Sequence, residues 1–416
     1  MSYIETLGAA AKSAVKFVGT VSTDKKNAAL SNIAKALSEN SEKITAANLT
    51  DIKTAKENGM SDAMIDRLKL TNERIDAMCK SIFELCELPD PIGEIIGGGV
   101  RPNGMKIEKV RVPLGVIAII YESRPNVTVD AAVLCLKSGN CCILRGGKEA
   151  YHTNKILCDI MRKALKSAGF PEDAVCFVDD ITRESSNELM KCNKYVDVLI
   201  PRGGAGRISA VVKNATVPVI ETGVGNCHLF VDKSADIEMA VSLAFNSKCR
   251  RPSVCNAIET LLVHKDIAET FLPAVKKAFD TKNVEIRGDA KVIEILGDTV
   301  VPVTDDDFYT EFLDYKIAVK TVDDTDDAIA HIDKYSTKHT ECIVTNDLKN
   351  AEKFTAEVDS AAVYVNAATS FTDGGMFGLG AEIGISTQKI HARGPMGLRE
   401  LTTVKYLITG NGQIRE

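Results

Sequence analysis

At 416 residues the chain is long enough for two or three domains with full cores, and its make-up, 45% hydrophobic and 26% charged with no tryptophan, is that of an ordinary globular protein. A formal charge of −6 argues against a nucleic-acid surface, which needs a basic face, while leaving room for a small anionic ligand in a local pocket. Twelve cysteines without C-x-x-C pairs, several inside apolar runs (Cys135, Cys141, Cys142, Cys158), fit a reducing cytoplasm and predict neither a disulfide framework nor a metal site. Lys12 and Lys16 interrupt the only apolar section of the first twenty residues, which therefore reads as an amphipathic helix and not a signal peptide. No later stretch has the length of apolar sequence that a membrane span requires, so a soluble, cytoplasmic protein is expected.

From Ile4 to about Leu88 the spacing of Ala, Leu, Ile and Lys is helical, as in Ser22 to Glu39 and Ser61 to Lys69. Pro89 to Asn103, with Pro-Asp-Pro and Gly-Gly-Gly, reads as a boundary. Met105 to Val112 alternates like a half-exposed strand, and Val116 to Ile120 is a pure apolar run like a buried parallel strand. A helix over Val129 to Lys137, a strand over Cys141 to Leu144, the turn Arg145-Gly146-Gly147-Lys148 and a helix from about Glu149 to Ala168 follow. This is the order of elements of a doubly wound nucleotide-binding sheet. Glycines there permit close backbone approach, a helix start attracts phosphate, and Arg145 and Lys148 add charge, yet a plain strand-to-helix turn would look the same. Further strands at Ala174 to Val178 and Val196 to Ile200, the latter followed by Pro201-Arg-Gly203-Gly204-Ala-Gly206 and a helix, give a second Gly-rich strand-to-helix turn, and two such turns favour a dinucleotide site more than one does.

Val217 to Gly225 reads as a short strand ending in Glu221 and a flexible turn, and Ile237 to Phe245 as a helix. Asn246 to Val263 then places Cys255 where a cationic, proline-containing loop gives way to a β-prone run. Lys248, Arg250 and Arg251 would favour the thiolate, the reactive form of cysteine. The bland alternative is a small buried hydrophobe, and Cys249 is a rival nucleophile. Beyond lie a helix at Lys265 to Phe279, strands near Val284 to Ile286 and Ile317 to Val322, and a helix at Asp324 to Lys334. A strand at Thr340 to Thr345, a helix around Leu348 to Glu357 and a strand at Ala361 to Asn366 complete a second α/β unit. Asp373 to Leu398 is rich in glycine and reads as ordered, functional loops, and Leu401 to Thr409 as a closing strand.

The order Val-Pro-Leu-Gly-Val (112–116), Gly-rich turns, Glu-Thr-Gly (221–223) and Phe-Asn followed by a cysteine resembles the aldehyde dehydrogenase superfamily. Three strings narrow the likeness: Tyr-Glu-Ser-Arg-Pro-Asn-Val-Thr (121–128), Arg-Arg-Pro-Ser-Val-Cys-Asn-Ala (250–257), and the run from Gly378 to Leu398. They are similar to the gamma-glutamyl phosphate reductase family of proline biosynthesis, over nearly the whole chain. The resemblance implies an α/β, aldehyde dehydrogenase-like fold: a Rossmann-type cofactor domain, a second α/β catalytic domain and a small oligomerisation element. The expected divisions are 1–235 for NADP binding, with an inserted strand element at 98–112, 236–398 for catalysis, and 399–416 as a C-terminal oligomerisation segment.

The implied reaction is NADPH-dependent reduction of L-glutamyl 5-phosphate to L-glutamate 5-semialdehyde, with Cys255 forming a thioester. The resemblance makes the Cys255 backbone N–H and Asn126 the oxyanion donors, although the ungapped match to the superfamily asparagine is Glu122. It makes Glu221 a proton-relay or cofactor-site residue, Glu311 the holder of the nicotinamide ribose, and Arg145 and Lys148 the contacts of a 2′-phosphate, hence NADP over NAD. Arg124, Arg250, Arg251 and Arg393, with Ser386 and Thr387, are candidates for the substrate's carboxylate and phosphate. Each arginine taken singly is better read as a surface or interdomain ion pair. A separate glutamate 5-kinase is expected to supply the unstable acyl phosphate in a transient contact, and Lys106 to Val112 and Leu401 to Thr409 are strands suited to pairing between subunits of a homo-oligomer. The alternatives are a hydrolytic NAD(P)-dependent aldehyde dehydrogenase acting on another semialdehyde, and a catalytically silent scaffold of the same fold.

Overall fold

The computed structural model describes residues 1–415, Ala63 through its backbone alone. Two units emerge. One comprises Met1–Thr222, Gly378–Gly384 and the stretch from Met396 onward, and the other comprises Gly223–Phe377 and Ile385–Pro395.

The first unit opens with five helices: α1 (Tyr3–Thr20), α2 (Thr23–Glu39), α3 (Ser41–Glu57), α4 (Asp62–Leu68) and α5 (Asn72–Glu87). Ser2 and Glu5 close a capping box on α1, whose buried residues Ile4, Gly8, Ala11, Ala14 and Val18 recur at three- and four-residue spacing and form one apolar stripe. Two strands follow, β1 (Ile95–Val100) and β2 (Lys106–Pro113), and pair antiparallel. The glycines of β1 read from sequence as a break. They form a strand because β2 supplies its hydrogen bonds, and Gly98, at φ +136, approaches β2 so closely that a β-carbon would lie 2.1 Å from the Ile107 carbonyl oxygen. On the other side of β2 lies the C-terminal strand Thr402–Thr409, in register from Thr402 opposite Pro113 to Thr409 opposite Lys106. The two strands expected to pair across subunits therefore pair with each other within one chain.

The rest of the first unit is a parallel sheet built from β3 (Val116–Tyr121), α6 (Pro125–Lys137), β4 (Cys141–Arg145), α7 (Tyr151–Ser167), β5 (Val175–Phe177), α8 (Arg183–Leu189), β6 (Val198–Arg202) and α9 (Ala205–Asn214). Its strand order, β5-β4-β3-β6, reverses direction between β3 and β6, as in half of a dinucleotide-binding sheet. β3 and β4 are buried along their whole length, and α6 carries Pro125 in its first turn and is buried on nearly every face. The segment read as a strand over Val217 to Gly225 is reduced to a single bridge between Val219 and Leu199.

The second unit runs β7 (Cys227–Val231), α10 (Ile237–Cys249), β8 (Ile258–His264), α11 (Lys265–Asp280), β9 (Glu285–Gly288), α12 (Ala290–Leu296), β10 (Val301–Pro302), α13 (Asp305–Tyr309), β11 (Lys316–Val322), α14 (Thr325–Tyr335), β12 (Thr340–Val344), α15 (Leu348–Glu357) and β13 (Ala362–Val365). The strands form one parallel sheet in the order β10-β9-β11-β8-β7-β12-β13. Alternation along each strand divides its core in two. Leu229, Val231, Leu261, Val263 and Val319 pack with Phe271, Leu272, Val275 and Phe279 of α11. Phe230, Leu262, Val322 and Ile343 pack with Ile329 and Ile332 of α14 and Phe354 of α15. A short ribbon, β14 (Ile385–Ser386) with β15 (Gly394–Pro395), completes the unit. Central strand β7 is absent from the sequence reading, because His228 interrupts its apolar run. The imidazole is buried all the same, with Nδ1 3.1 Å from the Glu341 carboxylate. No helix among the described residues is long and apolar enough to cross a membrane.

Candidate active site

In the second unit, α10 ends at Cys249 and the loop that follows delivers Cys255 to the N-terminal end of β8. Cys249 is buried, and burial pushes its thiol up to about 11, whereas Cys255 is half-buried. A thiol held protonated makes a poor nucleophile, which counts against Cys249. Lys248 is not a neighbour that could stabilise a Cys255 thiolate as the sequence suggests: its ammonium is fully buried in an ion pair with Glu259. Arg250 and Arg251 are exposed, with no ion pair among the described residues, and remain the cations of this loop.

Close packing holds the loop. A β-carbon at Gly225 would lie 1.5 Å from the Cys255 carbonyl oxygen, so only glycine lets these two segments touch. Gly225 N–H in turn donates to Glu311 Oε1 at 2.8 Å. Glu311 is thus tied to the Cys255 loop through Gly225. The Asn256 side chain donates to the Thr372 carbonyl at 2.9 Å, and the Thr369 hydroxyl donates to the Asn256 carbonyl at 2.6 Å. Thr387 packs on Gly223, where a β-carbon would lie 2.4 Å from its methyl group. Ser386 is fully buried in the β14–β15 ribbon and its hydroxyl accepts from Gln388 N–H at 3.2 Å. Arg393 is engaged by Asp359 at 2.8 Å, and with Lys389 it holds that carboxyl down at about 2.

In the first unit, the expected cofactor residues lie at the C-terminal ends of β4 and β6. Lys148 is exposed there. The Arg145 guanidinium is buried and donates to the carbonyls of Gly146, Ile181 and Thr182, so it braces the turn. Gly146 and Gly147 leave no room for a β-carbon, which would meet the Asn154 amide at 2.1 Å in one case and the Glu149 carboxylate at 2.1 Å in the other. Across the reversal between β3 and β6, Glu122 accepts from Gly204 N–H at 3.2 Å and pairs with Arg207 at 2.7 Å. Gly204 is the cap of α9, whose start follows the C-terminal end of β6, the end at which such sheets bind dinucleotides. Gly206 lies in the first turn of the same helix, and Gly203 abuts the Glu122 carboxylate. These residues fit an NAD(P)-type cofactor. Arg124 stands as the N-cap of α6, and Asn126 donates its amide to Asp130 at 2.9 Å. Burial pushes the Asp130 carboxyl up to about 6, against the opposing pull of Asn126 and Arg202. Glu221 is half-buried near the end of the unit's first segment. Sequence reasoning overlooked Arg202, a half-buried guanidinium at the end of β6 with no hydrogen bond or ion pair among the described residues.

Residues 2–293 match the model of the aldehyde dehydrogenase family. A gamma-glutamyl phosphate reductase of Carboxydothermus hydrogenoformans is 57% identical over 415 residues, with 100% of each chain covered. The chain belongs to the aldehyde dehydrogenase family, in its gamma-glutamyl phosphate reductase branch. A crystal structure of the gamma-glutamyl phosphate reductase of Thermotoga maritima superposes with a TM-score of 0.96 at 49% identity, again covering 100% of both chains. An engineered glycolyl-CoA reductase with bound NADP+ matches at a TM-score of 0.70 and 18% identity over 97% of this chain and 96% of that one, a likeness of fold alone. The α/β, aldehyde dehydrogenase-like architecture expected from sequence is the one found, and members of the aldehyde dehydrogenase family use NAD(P).

Proposed function

We propose that the chain reduces L-glutamyl 5-phosphate to L-glutamate 5-semialdehyde with release of phosphate, a step of proline biosynthesis in the cytoplasm, and that NADPH is the reductant. The observation that carries the reading is the 57% identity to a reductase of that name across the full length. Bound NADPH supplies a hydride; every other part of the chemistry belongs to side chains and backbone. Cys255 as thiolate attacks the acyl carbon, the bond from that carbon to the phosphate oxygen breaks, and phosphate leaves. Delivery of hydride to the resulting thioester gives a thiohemiacetal oxyanion. Collapse of that oxyanion releases the aldehyde and expels Cys255 as the thiolate. The Cys255 N–H stabilises the oxyanion, with Asn126 assigned by family match as a second donor. Arg250 and Arg251, exposed and with no ion pair among the described residues, draw the anionic substrate to the loop. Lys148 favours the 2′-phosphate of NADPH, Glu311 the nicotinamide ribose, and Glu221 a proton relay. A separate glutamate 5-kinase supplies the acyl phosphate, and the enzyme works as a homo-oligomer.

In reverse, glutamate 5-semialdehyde and NADP should turn over only with phosphate or arsenate, because the thioester needs an oxyanion acceptor. NADPH formation measured spectrophotometrically in their absence would contradict the acyl-phosphate route and restore the hydrolytic alternative. The identities to reductases do not favour that alternative or a silent scaffold.

A further inference from the structure

The head of β7 carries a group that the reaction as written does not use. Cys227 is fully buried, and its Sγ lies 3.1 Å from the Cys255 carbonyl oxygen. Burial pushes this thiol well above its ordinary range, and the charges of Glu341, Glu259 and Glu311 push the same way. It therefore stays an S–H and is a standing donor. Behind it, His339 Nδ1 lies 3.6 Å from the sulfur and 2.8 Å from the Thr340 hydroxyl, which donates to Thr372 Oγ1 at 3.2 Å. Thr372 is also the residue whose carbonyl holds the Asn256 side chain. The register of the β7–β8 pair shifts at this spot: Cys227 opposes Ile258 while His228 opposes Thr260, leaving Glu259 as an extra residue. Such irregularities re-aim the side chains beside them.

We propose that Cys227 is a positioning residue for the nucleophile: its S–H, backed by His339, holds the Cys255 carbonyl inward against Gly225 and so fixes the peptide that carries the reacting thiol. Two constraints meet on one carbonyl oxygen, the Gly225 backbone on one side and the Cys227 sulfur on the other. With that oxygen fixed, and the Asn256 carbonyl fixed by Thr369, the nucleophile loop loses the freedom to turn its peptide planes. The inference rests on Cys255 being the nucleophile of the proposed reaction.

The test compares Cys227→Val, which is apolar and removes the donor while adding one methyl group, with Cys227→Ser, which keeps a donor. Both are assayed on glutamate 5-semialdehyde with NADP and phosphate, alongside the rate of Cys255 alkylation by iodoacetamide. The valine variant should lose about 10- to 100-fold in kcat with KM within about twofold, and alkylate more slowly, as expected when a reacting group is misplaced and ground-state binding is untouched. The serine variant should recover most of both. Equal losses in the two variants, or a change confined to KM, would overturn the assignment. Should the valine variant not fold, Cys227→Ala set against Cys227→Ser makes the same comparison. The two readings fail separately: wild-type turnover without phosphate strikes the functional reading, whereas indistinguishable valine and serine variants strike the role of Cys227.

Discussion

Gly225 and Cys255 are thirty residues apart in sequence and touching in space, and glycine is the one residue whose surface allows it. Gly225→Ala must displace the Cys255 carbonyl, since the added β-carbon would lie 1.5 Å from that oxygen. Because a misplacement of about 1 Å near a reacting group can cost on the order of a hundredfold in rate, kcat should fall by at least that order. Folding measured by circular dichroism should be retained. A variant with wild-type kcat would show that the approach is dispensable. From sequence, Gly225 was one glycine in a flexible turn, and nothing local marks it as the wall of a nucleophile loop. Cys255 itself could be singled out because its flanking string resembles that of a family. Its separation from Cys249 becomes physical only when burial is known. Lys248 misled for the converse reason: a lysine near a cysteine suggests an activated thiol, but the partner that claims it, Glu259, lies on the next strand.

Among elements, α10 and β8 are joined by that buried Lys248–Glu259 pair as well as by apolar packing. Removing one member leaves a charge in the core. Lys248→Met should therefore destabilise the protein by about 3–5 kcal/mol, while the double variant Lys248→Met, Glu259→Leu should recover most of the loss. Urea denaturation followed by tryptophan-independent probes such as far-ultraviolet circular dichroism measures both. A single variant as stable as the double one would contradict the pairing. Strand β7 illustrates what periodicity misses, since His228 in its centre is polar, buried and satisfied by a carboxylate from β12. The alternation of β2 and the apolar runs of β3 and β4 were readable because each strand has a uniform environment on each face. β1 was not, because glycines carry no face.

For the molecule as a whole, buried histidines set the response to acid. Burial pushes His339 down to about 4 and lowers His331 further, so both stay neutral in the folded state. A depressed histidine contributes stability that is fully present above the unfolded value near 6.5 and lost as pH falls toward the folded value. His339 alone should account for roughly 3 kcal/mol of stability lost between about pH 6.5 and pH 4. His339→Gln should make that part of the stability profile shallower in thermal unfolding scans, with the share of His331 left in place. An unchanged slope would mean that the imidazole is not held neutral. The doubly wound architecture was visible in the order of elements, because alternating strands and helices leave few topologies open. The loops of the site were visible only through resemblance, because glycine-rich turns fix geometry without announcing their contacts.

The central claim, a glutamyl thioester on Cys255, is tested most directly by incubating the enzyme with glutamyl 5-phosphate without reductant and mapping the adduct by peptide mass spectrometry. One glutamyl group on the peptide carrying Cys255, released on addition of NADPH, is the expected result. Acylation of Cys249 instead, or no adduct in an enzyme that turns over with NADPH, would contradict it.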